Sequence, residues 1–144
     1  MTGGIEPLMR YLAIDYGLKR TGLAVCDADE TLASPLVVLT GQSRLIEKIR
    51  QVAADQAVDA IVFGLPLNMD GAEGDQAKRV RDFAAELIKQ IELPLFFQDE
   101  RLSSFDAEKK LAALGITRKK KKKHLDAIAA AAILQAFIDA AKNA

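Results

Sequence analysis

Three carboxylates stand where an apolar segment begins or ends: Asp15, Glu100 and Asp126. Asp15 closes the apolar run "RYLAID", Glu100 follows Asp99 at the end of "PLFFQD", and Asp126 opens an alanine-rich segment. In open α/β sheets, sites form beyond the carboxyl ends of neighbouring parallel strands. If the two apolar runs are such strands, their acids converge at one end of the sheet, and Asp126 is the third candidate.

Carboxylates that converge in this way need a counter-charge. Three of them within a few ångströms repel one another, so without a cation at least one takes up a proton. Their hard oxygen atoms suit Mg²⁺ or Mn²⁺, and two such ions about 3.5–4 Å apart can support phosphodiester cleavage. The only histidine, His124, has no paired nucleophile in the pattern. Taken singly, each acid is more simply a solvated loop residue or a helix cap.

The elements that must position these acids follow from the apolar pattern. Five runs predict strands: "RYLAIDYG", "TGLAVCDA", "LASPLVVLT", "DAIVFGLP" and "PLFFQDE". Four helices are predicted. The first is capped by Ser43, and the second has one apolar face formed by Ala77, Val80, Phe83, Leu87 and Ile91. The third runs from Ser103 or Ser104 to Gly115, and the fourth contains Asp126 and ends near residue 141. The order predicts an α/β fold whose five-stranded mixed sheet has three antiparallel and then two parallel strands, with helices on both faces.

Composition limits the class of protein. The 144 residues suit one domain, expected over 9–144 after a flexible leader at 1–8. A net charge of zero excludes a chain-wide basic field. The single Cys26 excludes an internal disulfide and is expected to be a small buried hydrophobe. Neither a signal peptide nor a membrane span is predicted, so we expect a cytoplasmic protein without membrane contact.

Basic residues cluster on either side of the acids in the sequence. Lys19 and Arg20 follow Asp15 and either clamp phosphate or form a solvated turn. The run Arg118, Lys119, Lys120, Lys121, Lys122 and Lys123 precedes Asp126. Positive charge is unfavourable at a helix N-terminus, so the run is expected to be weakly ordered until a polyanion binds; a solvated charge block is the simpler reading. "GLPLNMDGAEG" is either a phosphate cradle or an ordinary strand-to-helix loop.

Four segments resemble one known family. "DYGLKRTGLAV", "VFGLPLNMDG", "DERLSSFDA" and "HLDAIAAAAILQ" occur here in this order, and from Met9 onwards the chain resembles the YqgF family, described as Holliday junction resolvases or pre-16S rRNA nucleases. The resemblance implies a ribonuclease H-like fold and a metal-dependent nuclease. It also implies that Asp15, Glu100 and Asp126 are the catalytic, metal-binding acids. Arg101 then follows the catalytic glutamate, and we expect it to bind nucleic acid together with Lys19, Arg20 and the lysine run.

The leading functional prediction is therefore an endonuclease that uses two Mg²⁺ or Mn²⁺ ions on structured nucleic acid. Its substrate is either the 5′ end of pre-16S rRNA or a Holliday junction, and the second would favour a homodimer. One alternative is a non-catalytic nucleic-acid-binding or ribosome-assembly factor on the same fold, in which the acids would not matter. Another is an actin-like or sugar-kinase-like ATPase, since "DYG" resembles the opening phosphate loop of that related fold, but such enzymes build their site between two domains of this kind.

Overall fold

A computed structural model describes residues 8–102 and 125–142. Within them the elements are β1 (Tyr11–Asp15), β2 (Arg20–Cys26), β3 (Ala33–Thr40), α1 (Leu45–Asp55), β4 (Ala60–Leu65), α2 (Asp75–Ile88), β5 (Leu95–Asp99), a 3₁₀ turn (Glu100–Leu102) and α3 (Leu125–Lys142). All five predicted strands are present. The predicted helix between Ser103 and Gly115 lies outside the described residues.

The five strands form one mixed sheet in the order β3-β2-β1-β4-β5. β1 is antiparallel to β2, and β2 to β3, whereas β4 runs parallel to both β1 and β5. This is the arrangement that the sequence predicts. Because β1, β4 and β5 run in one direction, their carboxyl ends meet at the same edge of the sheet, which carries Asp15 and Asp99.

Helices cover both faces of the sheet. Leu12 and Ile14 of β1 belong to a buried cluster that includes Ile49 of α1 and Val80 of α2. Ala13 belongs to a second cluster that includes Leu134 of α3. Side chains alternate between faces along a strand, so the residue two positions after Ala13 faces α3. That residue is Asp15, and the fold thereby turns the first acid towards the helix that carries the third.

The N-terminus of α1 differs from the prediction. The helix begins at Leu45 after Arg44, whose φ of 56° is left-handed, and no side chain caps it. The Leu45 amide bonds instead to the carbonyl of Gln42 at 3.2 Å. The predicted cap at Ser43 is therefore wrong, because a backbone turn that ends in Arg44 starts this helix. Its buried residues, Leu45, Ile49 and Ala53, recur at helical spacing and form the face that packs on the sheet.

The alanine-rich helix α3 packs closely on the sheet. Ala130 and Ala131 are fully buried, and their small side chains bring the helix near the strands. Gln135 is buried as well. Its Oε1 accepts a hydrogen bond from the Ala33 amide at 2.9 Å, and its Nε2 donates one to the Thr31 carbonyl at 3.1 Å. α3 is thus attached to the start of β3. No helix among the described residues is long and apolar enough to cross a membrane.

Cys26, at the end of β2, is buried as predicted. Its sulfur accepts the Tyr11 amide at 3.2 Å, and burial raises the pKa of the thiol. A buried thiol with a raised pKa is a poor nucleophile. Cys26 therefore contributes packing between β1 and β2.

Candidate active site

Two strand glycines make room for the acids. Gly22 pairs with Asp15 across β1 and β2, and Gly64 follows Phe63, the β4 partner of Ile14. A Cβ on Gly22 would lie 1.9 Å from the Asp126 carbonyl oxygen, and one on Gly64 would lie 2.6 Å from Oε1 of Glu100. At position 22 the close atoms belong to the α3 backbone, so only glycine fits there; at position 64 they are side-chain atoms, which an alanine would displace. Neither glycine is among the site residues predicted from the sequence, although glycine inside a strand pattern can mark a close approach of this kind.

The structure brings Asp15 and Glu100 into direct contact. Burial, followed by the negative charge of Glu100, raises the pKa of Asp15 to about 7. The protonated carboxyl of Asp15 donates a hydrogen bond to Glu100, and the charge of Asp126 adds a smaller repulsion. Burial also raises the pKa of Glu100. The two carboxyls therefore share a proton near neutral pH unless a cation replaces it.

Asp126, the second residue of α3, is held by a cation of the chain itself. Nε of Arg20, at the start of β2, donates to Oδ2 of Asp126 at 2.8 Å. The Arg20 side chain is 60% exposed and that of Asp126 is 29% exposed. Asp126 thus lies close enough to affect Asp15 but has a different partner.

The two neighbouring acids at the end of β5 have separate surroundings. Glu100 meets Asp15, whereas Asp99 binds the guanidinium of Arg101, with Nη2 donating to Oδ2 at 2.7 Å. This contact holds the pKa of Asp99 below its usual range. Asp99 is therefore neutralised by the adjacent residue, and Glu100 is the acid that takes part in the cluster.

The predicted nucleic-acid-binding residues fall into three groups. Lys19 is exposed in the turn from β1 to β2, and it makes no ion pair within the described residues. Arg20 and Arg101 are already paired with acids. The run from Arg118 to Lys123 lies outside the described residues, so its contribution stays a prediction.

The donor set suits a hard divalent cation, because all three side chains offer carboxylate oxygens. Within residues 8–102 and 125–142, however, no three or more acidic, cysteine or histidine side chains are grouped so that they could hold a metal. Asp15 and Glu100 retain a proton between them, and Asp126 is turned to Arg20. A dication would take the place of that proton and of the Arg20 guanidinium. The chemistry fits, and the change required is a local exchange of partners.

The order and directions of the strands define a ribonuclease H-like fold. It is similar to the solved structure of Thermus thermophilus RuvC in complex with a Holliday junction substrate, with a TM-score of 0.62 and 18% identity over 94% of this chain and 96% of that chain. Residues 9–140 match the family described as RuvX, Holliday junction resolvase, and the chain belongs to that family.

Curated relatives agree with this assignment. A protein of Maridesulfovibrio salexigens is 39% identical over 90% of this chain and 98% of its own length. One of Anaeromyxobacter dehalogenans is 44% identical over 91% and 97%. Both are named "Putative pre-16S rRNA nuclease". The predicted family, fold and nuclease class are confirmed.

The raised pKa of Asp15 predicts how stability depends on pH. The folded pKa of about 7 lies above the 3.8 of an unperturbed aspartate, so between these values the folded state binds more protons than the unfolded state. The free energy of unfolding of the metal-free protein therefore falls as pH rises through this range. Asp15→Asn cannot ionise, and we expect its melting temperature to exceed that of the wild type increasingly from pH 5 to about pH 8. Thermal melts in EDTA test this, and a difference independent of pH would contradict it.

Proposed function

We propose that this chain is an endonuclease that depends on Mg²⁺ or Mn²⁺ and cleaves structured nucleic acid. The observation that carries the proposal is the contact between Asp15 and Glu100, with Asp126 beside them, at the edge where β1 and β5 end. Burial and mutual repulsion make the metal-free cluster unfavourable, and a dication relieves both. We propose that Asp15, Glu100 and Asp126 are the metal ligands.

The chain's own residues would prepare the site for chemistry. Two bound ions would supply an activated water and would stabilise the leaving oxygen. Gly22 and Gly64 bring Asp126 and Glu100 against the sheet, so the ligands are held by strands and a helix. Lys19 lies in the turn before β2, and Arg20 is the first residue of β2. Both would orient the scissile phosphate, and the Arg20 guanidinium can bind it through two hydrogen bonds.

The substrate we favour is precursor 16S rRNA near its 5′ end, because relatives at 39% and 44% identity are named "Putative pre-16S rRNA nuclease". A Holliday junction is the second candidate, supported by the family's description. Resolution of a junction would favour a homodimer that makes paired cuts. The cytoplasmic location and the number of metal ions stay predictions.

The direct test is cleavage of both substrates by the purified protein. We expect cuts in the RNA with Mg²⁺ or Mn²⁺ and none in EDTA. The control is a folded variant with Asp15→Asn, Glu100→Gln and Asp126→Asn together. Binding without metal-dependent turnover would reject the nuclease proposal in favour of a non-catalytic factor. Paired, symmetric cuts of the junction with intact RNA would reject the favoured substrate.

Removal of Arg20 should strengthen metal binding in the absence of substrate. Arg20→Gln frees Asp126 from an exposed ion pair, which contributes about 0.2–1 kcal/mol. The Mg²⁺ concentration that gives half of the maximal melting shift should then fall by up to about fivefold. The control is Arg50→Gln, an exposed site on α1 across the sheet. Unchanged or weaker metal binding in Arg20→Gln would contradict the proposed competition between Arg20 and the metal for Asp126.

The lysine run should contribute to affinity through phosphate contacts. Each contact adds about −0.9 to the slope of log K against log salt for duplex DNA, and about −0.7 for a single strand. We expect Lys119–Lys123→Gln to weaken binding on all sequences and to flatten the slope. Lys48→Gln with Arg50→Gln on α1 should leave the slope unchanged. A salt titration that gives the wild-type slope for the lysine variant would reject this role.

A further inference from the structure

Arg101 connects the end of β5 to a loop from a different strand. Its Nε and Nη2 donate to the carboxylate of Asp99 at 2.7–3.1 Å, and its own amide donates to Oδ1 of Asp99 at 2.9 Å. Nη1 donates to the carbonyls of Asn68 and Met69 at 3.4 and 3.2 Å. The Arg101 side chain therefore connects the turn that contains Asp99 and Glu100 to the segment that follows β4.

That segment, residues 66–74, is called here the β4–α2 loop, and it has its own internal order. Leu67 and Glu73 form a bridge across its base. The Asn68 amide bonds to the Ala72 carbonyl at 2.9 Å, and the Gly71 amide to the Asn68 carbonyl at 2.8 Å. A Cβ on Gly71 would lie 3.6 Å from Nη1 of Arg101. The guanidinium thus lies against the backbone of a closed loop.

We infer that Arg101 acts as a positioning residue for Glu100 and the β4–α2 loop, and that it makes no contact with phosphate. This inference rests on the proposed nuclease function. A phosphate would have to displace Asp99, whose carboxylate already holds Nε and Nη2 of Arg101. Lys19 is exposed and outside any ion pair of the described residues, so it can bind phosphate without such a displacement.

The ion pair between Asp99 and Arg101 also determines which of the two adjacent acids faces Asp15. Asp99 and Glu100 are adjacent in the turn that ends β5, and Arg101 draws Asp99 towards the loop. Glu100 is thereby left to face Asp15. Without this anchor the turn can rotate, and a displacement of about 1 Å at a reacting group can lower turnover about 100-fold.

The test compares Arg101→Gln, Arg101→Lys, Asp99→Asn and the Asp99→Asn/Arg101→Gln double variant. We expect each to lower kcat about 10- to 100-fold with KM nearly unchanged, and the double variant to be no worse than the singles because both remove one interaction. Lysine cannot reproduce the planar fork, so Arg101→Lys should resemble Arg101→Gln. The slope of binding affinity against salt should stay at its wild-type value.

Lys19→Gln is the matched control, since a phosphate contact should flatten that slope by about 0.7–0.9. A flattened slope in Arg101→Gln, or wild-type kcat in Arg101→Lys, would overturn the inference. Amide exchange of Gly71 and Ala72 gives a readout independent of cleavage: it should accelerate in Arg101→Gln and in Asp99→Asn. If the wild type cuts nothing, the proposed function fails, whereas unchanged amide exchange would reject the anchor itself.

Discussion

Asp15→Asn is expected to lower metal-dependent cleavage by about 1,000-fold, or about 4 kcal/mol in activation free energy, without loss of the fold. The asparagine amide can still donate to Glu100, as the protonated carboxyl of Asp15 does. It cannot ionise, however, and a neutral amide is a much weaker ligand for a dication than a carboxylate. Single-turnover cleavage rates with saturating Mg²⁺ measure the effect.

The metal-binding consequence of Asp15→Asn can be followed without substrate. Wild-type protein should gain melting temperature as Mg²⁺ is added, because a ligand that binds only the folded state stabilises it. Asp15→Asn should gain much less. Asp82→Asn, the same chemical change at an exposed position of α2, is the control and should behave as the wild type. Wild-type cleavage by a folded Asp15→Asn protein would remove Asp15 from the proposed site.

Gly22→Ala is expected to destabilise the protein by about 3 kcal/mol and to abolish cleavage. The added Cβ would lie 1.9, 2.2 and 2.7 Å from the carbonyl oxygen and carbon of Asp126 and the amide nitrogen of Ala127. These atoms belong to the backbone of α3, so no side-chain rotation can relieve the contact. The start of α3 must move away from the sheet, and Asp126 moves with it. Urea denaturation measures the loss of stability.

Two further variants make the Gly22 result interpretable. Gly74→Ala is the control: its φ is −96°, and the nearest atoms to the new Cβ are 3.4 Å away on the Asn68 side chain. It should cost less than about 1 kcal/mol. Gly64→Ala meets side-chain atoms of Ile133 and Glu100, so it should fold but cut poorly. A Gly22→Ala protein with the stability of the Gly74→Ala protein would contradict the close approach of α3.

Most of the fold could be predicted from local patterns of apolar residues in the sequence. The five apolar strand runs and the alanine-rich segment are continuous in sequence, and burial of such runs is what drives a sheet and its covering helices together. The Ser43 cap failed because α1 starts from the left-handed backbone of Arg44. Capping preferences depend on side-chain type, so they cannot predict a turn that is closed by backbone hydrogen bonds.

Site geometry depended on contacts between distant parts of the chain. Arg20 and Asp126 are 106 positions apart, and their pairing follows from the packing of α3 on β2. The need for glycine at position 22 has the same origin, since the atoms that exclude a Cβ belong to residues 126 and 127. No local pattern encodes which helix will cross above a given strand residue.

The sequence by itself determined the order of the strands along the chain, the positions of the acids at strand and helix ends, and the resemblance to one family. These depend only on residue type and spacing. Only the tertiary structure shows that Glu100 contacts Asp15 directly, that Asp99 is neutralised by Arg101, and that Asp126 pairs with Arg20. Adjacent residues of a turn point in different directions: Glu100 meets Asp15 of β1, whereas Asp99 binds Arg101 of its own turn. The direction of a side chain is therefore a property of the packed molecule.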